Sequence, residues 1–340
     1  MKKVYLKNLN VEEIEKIIYD ITQERYRAKQ IFTWIHRGVC NFEQMTDIPI
    51  VLRNKLNEHF SIYCLEVRSL QKSSEGTFKF LFGLEDANAI ESVLMKYKYG
   101  YSACISTQVG CKMGCRFCAS TKCGLVRNLS AGEIVDQVLS IQRETGNRVS
   151  KIVFMGIGEP LENYDNVIKA IKLLNNPLGL NIGLRNISIS TCGLIPEIKK
   201  LASENLPLTL SVSLHAPNDI IRNKIMPINR TYSVKEIIGA CKEYSKITKR
   251  KMYFEYVMID NMNDSEKEAH ELARLIKGML AHVNLIQLNS IGQQEFKRSN
   301  PSKIKKFIEV LESEGISVTL RRELGSEIDA ACGQLRLKKT

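Results

Sequence analysis

The sequence predicts an α/β protein. A partly open barrel of six β/α units spans residues 101–340, after a small helical domain at 1–75 and a β-hairpin extension at 76–100. Three observations predict it. Hydrophobic spacing is helical to about residue 60, shifts to the two-residue period of strands near 76, and then alternates between the two patterns as far as the C-terminal segment. Small and polar residues recur just past the strand-like stretches, where β/α barrels keep their working groups. A chain of 340 residues, 44% hydrophobic and 25% charged, has enough apolar material for one large domain and a smaller one.

The elements follow in order. Ile14, Ile17, Ile18 and Ile21 recur at helical spacing. Tyr26, Ala28, Ile31, Phe32, Trp34 and Ile35 form a second stripe, stopped by Gly38, and Leu52, Leu56 and Phe60 form a third. Arg25, Arg27, Lys29, His36 and Arg37 interleave with aromatic residues here, which suits phosphates and stacked bases. A solvated face over a small helical core accounts for the same pattern equally well. Residues 77–82 and 89–95 read as strands of a hairpin. Strands then follow at 101–107, 151–155, 186–190, 208–214, 252–258, 283–288 and 316–321. Helices lie between them at about 130–145, 164–175, 194–203, 233–247, 264–280 and 301–314, and Ser130 with Glu133 fits a capping box.

The net charge of +12 and pI of about 9.1 favour a polyanionic partner. Lys246, Lys249, Arg250 and Lys251, or Arg321 and Arg322, are candidates to grip phosphates, although a solvated surface explains each cluster as simply. Ten cysteines in a chain this long do not read as a secreted disulfide framework. The N-terminus is charged rather than an apolar signal core, and no apolar run approaches the roughly 20 residues of a membrane span. The expectation is a reduced, cytoplasmic protein without a membrane segment, and nothing demands more than a monomer.

The densest chemistry lies in Cys111-Lys-Met-Gly-Cys115-Arg-Phe-Cys118. Three thiolates on one tight loop do not close a four-coordinate zinc site, but they suit a four-iron cluster with one iron left open. Further groups follow the later strands: Gly156-Ile-Gly158-Glu159-Pro160, Ser190-Thr-Cys-Gly193, Ser213-Leu214-His215-Ala-Pro217, Asn289, and Asp329-Ala-Ala-Cys332-Gly333. Each is weak alone, and together they fall on one rim of the barrel.

The cysteine spacing, with an aromatic residue before the last cysteine, resembles the radical S-adenosylmethionine superfamily. Over nearly the whole chain the sequence is similar to the RlmN/Cfr family of RNA adenine methyltransferases within it. The resemblance rests on Tyr26-Arg-Ala-Lys-Gln-Ile-Phe32, Gln108-Val-Gly-Cys111, Arg127-Asn-Leu129, Ser213-Leu-His-Ala-Pro217 and Ile328-Asp-Ala-Ala-Cys-Gly-Gln-Leu335. Departures are small: 119–124 replaces a more usual Thr-Gly-rich turn and adds Cys123, and Ile157 stands where methionine is common.

The resemblance implies one 4Fe-4S cluster on Cys111, Cys115 and Cys118. It implies S-adenosyl-L-methionine contacts at Gly158, Glu159, Ser190, Ser213, Leu214, His215 and Asn289. It also implies a reaction at carbon 2 of adenosine 2503 in 23S rRNA and adenosine 37 in tRNAs. Carbon 2 is electron-poor, so Cys332 first takes a methyl group from one cofactor molecule. A radical derived from a second molecule removes a hydrogen from that methyl, and the carbon joins the adenine. Cys104 resolves the adduct and is left in a disulfide with Cys332, while Glu91 matches the proton acceptor. An unidentified electron donor, flavodoxin-like or equivalent, is required. Read without the family, Cys332 is a buried apolar cysteine and Glu91 the wet face of a strand. Three alternatives stay open: a Cfr-type enzyme acting at carbon 8 and conferring antibiotic resistance, a basic RNA-binding protein stapled by zinc, and an activase that makes a protein radical.

Overall fold

The computed structural model describes residues 3–22, 24–289 and 295–335. The N-terminal part holds strand β1 (Val4–Tyr5), helices α1 (Val11–Thr22), α2 (Tyr26–His36) and α3 (Ile50–His59), and β2 (Phe60–Ser61), which pairs in parallel with β1. Next come β3 (Glu66–Lys72), β4 (Phe78–Gly83), β5 (Ala89–Tyr97) and β6 (Gly100–Cys104), then a short hairpin of β7 (Gln108–Gly110) and β8 (Leu125–Asn128). The remainder alternates: α4 (Ala131–Thr145), β9 (Val149–Phe154), α5 (Tyr164–Asn175), β10 (Ile187–Thr191), α6 (Ile195–Ser203), β11 (Thr209–Ser213), α7 (Asp219–Ile225) and α8 (Val234–Thr248). It continues with β12 (Met252–Met258), α9 (Glu266–Ile276), β13 (Ala281–Gln287), α10 (Pro301–Ser313) and β14 (Val318–Leu320).

One ten-stranded sheet runs β14-β13-β12-β11-β10-β9-β6-β5-β4-β3. The seven strands from β6 to β14 are parallel, joined by six helical crossovers, because a parallel pair needs a long connection. β3, β4 and β5 extend the sheet antiparallel beyond β6. β14 and β3 stand at opposite edges, so the barrel is open, as predicted. Buried residues such as Ile189, Leu210, Val212, Phe254 and Leu285 alternate along the strands with the inward-facing Ser190, Ser213 and Glu255, so they form the apolar layer between the sheet and its helices. The outer face of these strands is apolar because helices cover it, while the inner face carries polar residues such as Ser190, Ser213, Glu255 and Asn284.

Six elements escaped the hydrophobic pattern, among them the two-residue strands β1 and β2. β3 is mostly exposed and charged, which suits an edge strand but hides it from a period-two search. β7, β8 and α7 are too short to show a period. The strand predicted over 101–107 stops at Cys104. There the chain turns, with Ile105 N–H bonded to Val153 O and Gly156 N–H to Ile105 O, and β7 leaves the sheet to pair with β8.

The N-terminal helices seat on α4. Lys7 Nζ lies 2.6 Å from Asp136 Oδ1, both side chains fully buried. Asp136 Oδ2 accepts from Leu65 N–H at 2.7 Å, and Asn8 Oδ1 caps Gly132 N–H at 2.7 Å. The expectation of reduced cysteines needs correction at one place: Cys40, after α2, and Cys64, before β3, form a disulfide. The turn of chain through α3 brings these two loops side by side. Among the described residues no helix is long and apolar enough to cross a membrane.

Candidate active site

The three cysteines lie in the loop between β7 and β8. The hairpin closes this loop: Cys111 N–H bonds to Gly124 O at 2.9 Å, and Gly110 has φ +77°. A side chain at Gly110 would strike the Gly124 carbonyl at 1.9 Å, so the backbone approach requires glycine. Gln108 and Asn128, from the two family motifs, do structural work beneath it. Gln108 Nε2 donates to Asn128 Oδ1 at 2.8 Å, and Gln108 Oε1 accepts from Glu159 N–H at 2.8 Å. Arg127 grips both carboxylate oxygens of Glu133 at 2.8 and 2.9 Å, fastening the hairpin to the start of α4. Ser130 and Glu133 form the expected capping box.

Cys111, Cys115 and Cys118 line a cavity at the C-terminal ends of the parallel strands. Its wall also holds Gly158, Glu159, Ser190, Ser213, His215, Asn289 and Cys332, so most of the residues predicted for the site meet in one place. Among the predicted cofactor contacts Leu214 is the exception. It is fully buried in the apolar core and contributes only its backbone, with N–H bonded to Glu255 O and C=O taken by Arg222. Ser190 and Ser213, on adjacent strands, bring their hydroxyls within 3.4 Å. Glu159 is buried, its carboxylate accepting from Cys192 N–H at 2.8 Å and Leu161 N–H at 3.0 Å. Burial pushes its carboxyl above the ordinary range, and those hydrogen bonds work against the shift. His215 adopts φ +58° and accepts from Val257 N–H at Nδ1, 3.0 Å, leaving Nε2 to carry the proton. Burial, then the nearby Arg222, lowers its pKa to about 3, so the ring stays neutral.

A second cavity shares a wall with the first. Cys104 belongs to it alone, while Cys118, Asn289, Arg321 and Cys332 border both. Cys332 is exposed and Cys104 buried, and both are free thiols. Burial, reinforced by Cys332, pushes the Cys104 thiol up to about 12. The Cys332 segment is tied down on three sides. Asn289 Nδ2 donates to Cys332 O at 2.9 Å. Ala119 N–H donates to Gly333 O at 2.7 Å, and Ser120 Oγ to Leu335 O at 2.7 Å. Lys79 Nζ donates to Asp329 O at 3.1 Å.

Glu91 lines neither cavity. It is 5% exposed, which rules out the wet face of a strand, and its Oε1 lies 2.8 Å from Lys79 Nζ. Lys79 thus bridges Glu91 and the Cys332 segment. Sequence reasoning missed it, although its place between Phe78 and Phe80 puts it on the same face as Glu91. Arg321, expected to grip phosphate, instead points into the cavities and pairs with Glu255 at 3.3 Å, because β14 ends on the site's rim. Lys246, Lys249, Arg250 and Lys251 precede β12 and so stand at the opposite end of the barrel from the cavity mouth.

The donor set decides which groups fit. Among the described residues no three metal-binding side chains converge on a single ion. A four-iron cube takes one sulfur per iron and holds its thiolates further apart than zinc does. Cys192 also lines the cavity, but its thiol is engaged with Glu159 and pushed well above its ordinary pKa by burial. Glycines make the remaining floor: a side chain at Gly156 would strike the Ile105 carbonyl at 2.7 Å, and one at Gly158 the Thr107 and Gln108 side chains at 2.7–2.8 Å. Three thiols beside a largely apolar, glycine-floored cavity with a few convergent polar groups fit a cluster and a zwitterionic nucleoside sulfonium.

An open β/α barrel that brings three loop thiols onto such a cavity is the arrangement of a radical S-adenosylmethionine enzyme. The family model for that superfamily matches residues 105–273, and that for the ribosomal RNA large subunit methyltransferase N-terminal domain matches residues 4–62. A relative from Clostridium tetani, named "Probable dual-specificity RNA methyltransferase RlmN", is 53% identical over 334 residues, covering 98% of this chain and 96% of that protein. One of the same name from Desulforamulus reducens is 53% identical over 336 residues, with the same coverage. The crystal structure of a radical SAM methyltransferase from Sphaerobacter thermophilus superposes with a TM-score of 0.95 at 42% identity, covering 98% of this chain and 100% of that one. The chain belongs to the RlmN family of dual-specificity RNA methyltransferases. It is a radical S-adenosylmethionine RNA methyltransferase whose cofactors are a 4Fe-4S cluster and S-adenosylmethionine.

The two thiols of the second cavity differ in a way that labelling reads directly. Native protein treated with iodoacetamide near neutral pH is expected to react at Cys332 at least ~10-fold faster than at Cys104, since Cys104 is buried and scarcely ionised. Timed quenching and peptide mass spectrometry measure the two rates. Equal rates would mean that the C-terminal segment does not shield Cys104.

Proposed function

We propose that this enzyme methylates carbon 2 of adenine in RNA, at adenosine 2503 of 23S rRNA and adenosine 37 of tRNAs, through a methyl group carried on Cys332. What carries the reading is the hydrogen bond from Ala119 N–H to Gly333 O. It joins the residue after the last cysteine of the array to the residue after Cys332, two hundred positions apart in the chain. When bound, the cluster and S-adenosylmethionine supply a methyl group and a carbon radical able to remove hydrogen. Cys111, Cys115 and Cys118 would hold the cluster, with Gly158, Glu159, Ser190, Ser213, His215 and Asn289 around the cofactor.

The chain's own groups do the rest. Cys332 accepts the methyl as a nucleophile and, standing in the wall between the cavities, offers it to either side. Cys104 waits in the second cavity, positioned to close a disulfide with Cys332 as product leaves; that disulfide is reduced before the next cycle. The family resemblance assigns Glu91 as acceptor of the carbon 2 proton; it lies outside both cavities, held by Lys79, so it reaches that proton only through a shift of this pair or a relay. The target base reaches the cavity by leaving its stack, at roughly a few kcal/mol. The N-terminal helices suit the RNA, since Arg25, Arg27 and Arg37 lie over Tyr19, Tyr26 and Trp34 on their surface. His36 is buried and takes no part. A low-potential one-electron donor must dock from outside.

The test is a methylation assay of reconstituted enzyme on protein-free 23S rRNA and on tRNA, with the nucleosides identified by mass spectrometry. The expected product is 2-methyladenosine from both. The appearance of 8-methyladenosine would overturn the assignment of carbon 2, and a colourless, zinc-containing protein would overturn the radical chemistry.

A further inference from the structure

Arg222 is fully buried, and sequence reasoning gave it no role. Its place, one residue after Ile221 on a helix of seven residues, showed no motif. Its guanidinium lies behind the wall of the first cavity and meets only neutral oxygens. Nε donates to Leu214 O at 3.0 Å, Nη2 to Cys192 O at 2.6 Å and Ser213 O at 3.1 Å, and Nη1 to Asn229 Oδ1 at 3.1 Å. Asn229 stands between it and Asp219, passing its own Nδ2 to Asp219 Oδ1 at 2.9 Å. Among the described residues Arg222 forms no ion pair. Guanidinium keeps its proton in proteins, so a permanent positive charge is buried here without a carboxylate beside it. Such a charge is costly unless an anion completes the site.

The geometry says where that anion lies. α7 packs against the cysteine loop: Arg116 N–H bonds to Ile225 O at 3.0 Å, Arg116 Nη1 to Lys224 O at 3.2 Å, and Gly114 faces Pro227. Cys111, Cys192, Ile221, Ile225 and Met226 share one apolar cluster, with Cys115 packed on it. Burial works against the Arg222 charge, and the groups placed to favour it are Cys192 and Cys115 on the cavity side and Asp219 behind Asn229. Low dielectric surroundings strengthen any charge interaction across this wall.

Resting on the assignment of the cluster to Cys111, Cys115 and Cys118, we propose that Arg222 is the cluster's built-in counter-charge. Its fixed cation favours the more negative, one-electron-reduced form and so raises the cluster's midpoint potential. The four carbonyl and amide oxygens hold the charge in position without neutralising it. Net charge near an iron–sulfur cluster is one of the levers that set its potential. The electron comes from an external low-potential reductant, dithionite in the test below, and one electron enters the cluster with no bond made or broken.

The experiment is a potentiometric titration of reconstituted full-length protein, followed by electron paramagnetic resonance after iron and sulfide have been counted. Arg222→Gln is expected to lower the ratio of reduced to oxidised cluster, at the wild-type midpoint, by at least about tenfold, a shift of about 59 mV to more negative potential. Arg222→Lys, which keeps the charge, is expected to stay within about threefold. Asn229→Asp, made together with Asp219→Asn so that two carboxylates do not meet at 2.9 Å, sets a carboxylate against the guanidinium without changing shape, and is expected to shift the ratio in the same direction as Arg222→Gln. If Arg222→Gln takes up no iron, this double variant decides. The proposal is overturned if fully loaded Arg222→Gln or the double variant stays within about twofold of wild type. It also falls if Arg222→Lys shifts as far as Arg222→Gln, or if neither neutralised variant binds iron, since the role is then structural. A wild-type protein that assembles no four-iron cluster would instead remove the assignment on which this rests.

Discussion

Cys332→Ala is expected to yield a folded protein that assembles its cluster, binds S-adenosylmethionine and makes no methylated RNA. The rate should fall by more than ~10³-fold. Folding should survive because Cys332 is exposed, and the bond from Asn289 is made to its backbone carbonyl, which alanine keeps. Activity should not survive, because no other thiol can stand in: Cys104 is buried in the second cavity alone, and Cys192 is held by Glu159. The partner experiment is Cys104→Ala. It is expected to accumulate a covalent protein–RNA adduct, visible as a band of reduced mobility on a denaturing gel, since the thiol that would release Cys332 is missing. Normal turnover by both variants would end the assignment of a carbon-carrying and a resolving thiol.

Lys7→Met is expected to cost 3–5 kcal/mol of stability, on the order of what breaking one side of a buried ion pair costs. Asp136 would be left enclosed without its cation, with only the Leu65 N–H at Oδ2. Lys7 Nζ also donates to Tyr63 O at 2.8 Å, so its loss frees the segment between α3 and β3 as well. Denaturant unfolding should therefore show the N-terminal helices loosening before the barrel. The double variant Lys7→Met, Asp136→Leu removes both charges and is expected to recover at least about half of the loss. A cost below about 1 kcal/mol for Lys7→Met would mean that apolar contacts, not this pair, seat the helices on α4.

Most of the barrel was legible because parallel strands and their crossover helices carry opposite periodicities. A run such as 252–258 can hardly be read as anything but a covered strand. The working rim was legible for a related reason. Glycine, serine, histidine and cysteine at strand ends break the apolar runs at a regular phase. β3 and α7 were not legible, the first because an edge strand needs charge on its surface, the second because seven residues do not complete two turns. The roles of Arg222 and Lys79 were hidden for a different reason. A lone basic residue in a sequence looks like surface, and only its neighbours in space reveal that it is buried.

What the sequence by itself determined is the kind of chemistry: three thiols at close spacing, a glycine-floored rim, and a cysteine among small residues near the C-terminus. These are local in the chain, and local spacing sets which atoms can share a loop. What only the tertiary structure decided is which distant groups meet. Folding laid the Cys332 segment against the cysteine loop, turned Glu91 inward onto Lys79, joined Cys40 to Cys64, and enclosed Arg222 behind the cavity. Those contacts link residues tens to hundreds of positions apart. Packing of the whole sheet and its helices selects them, and no short stretch of sequence records that selection.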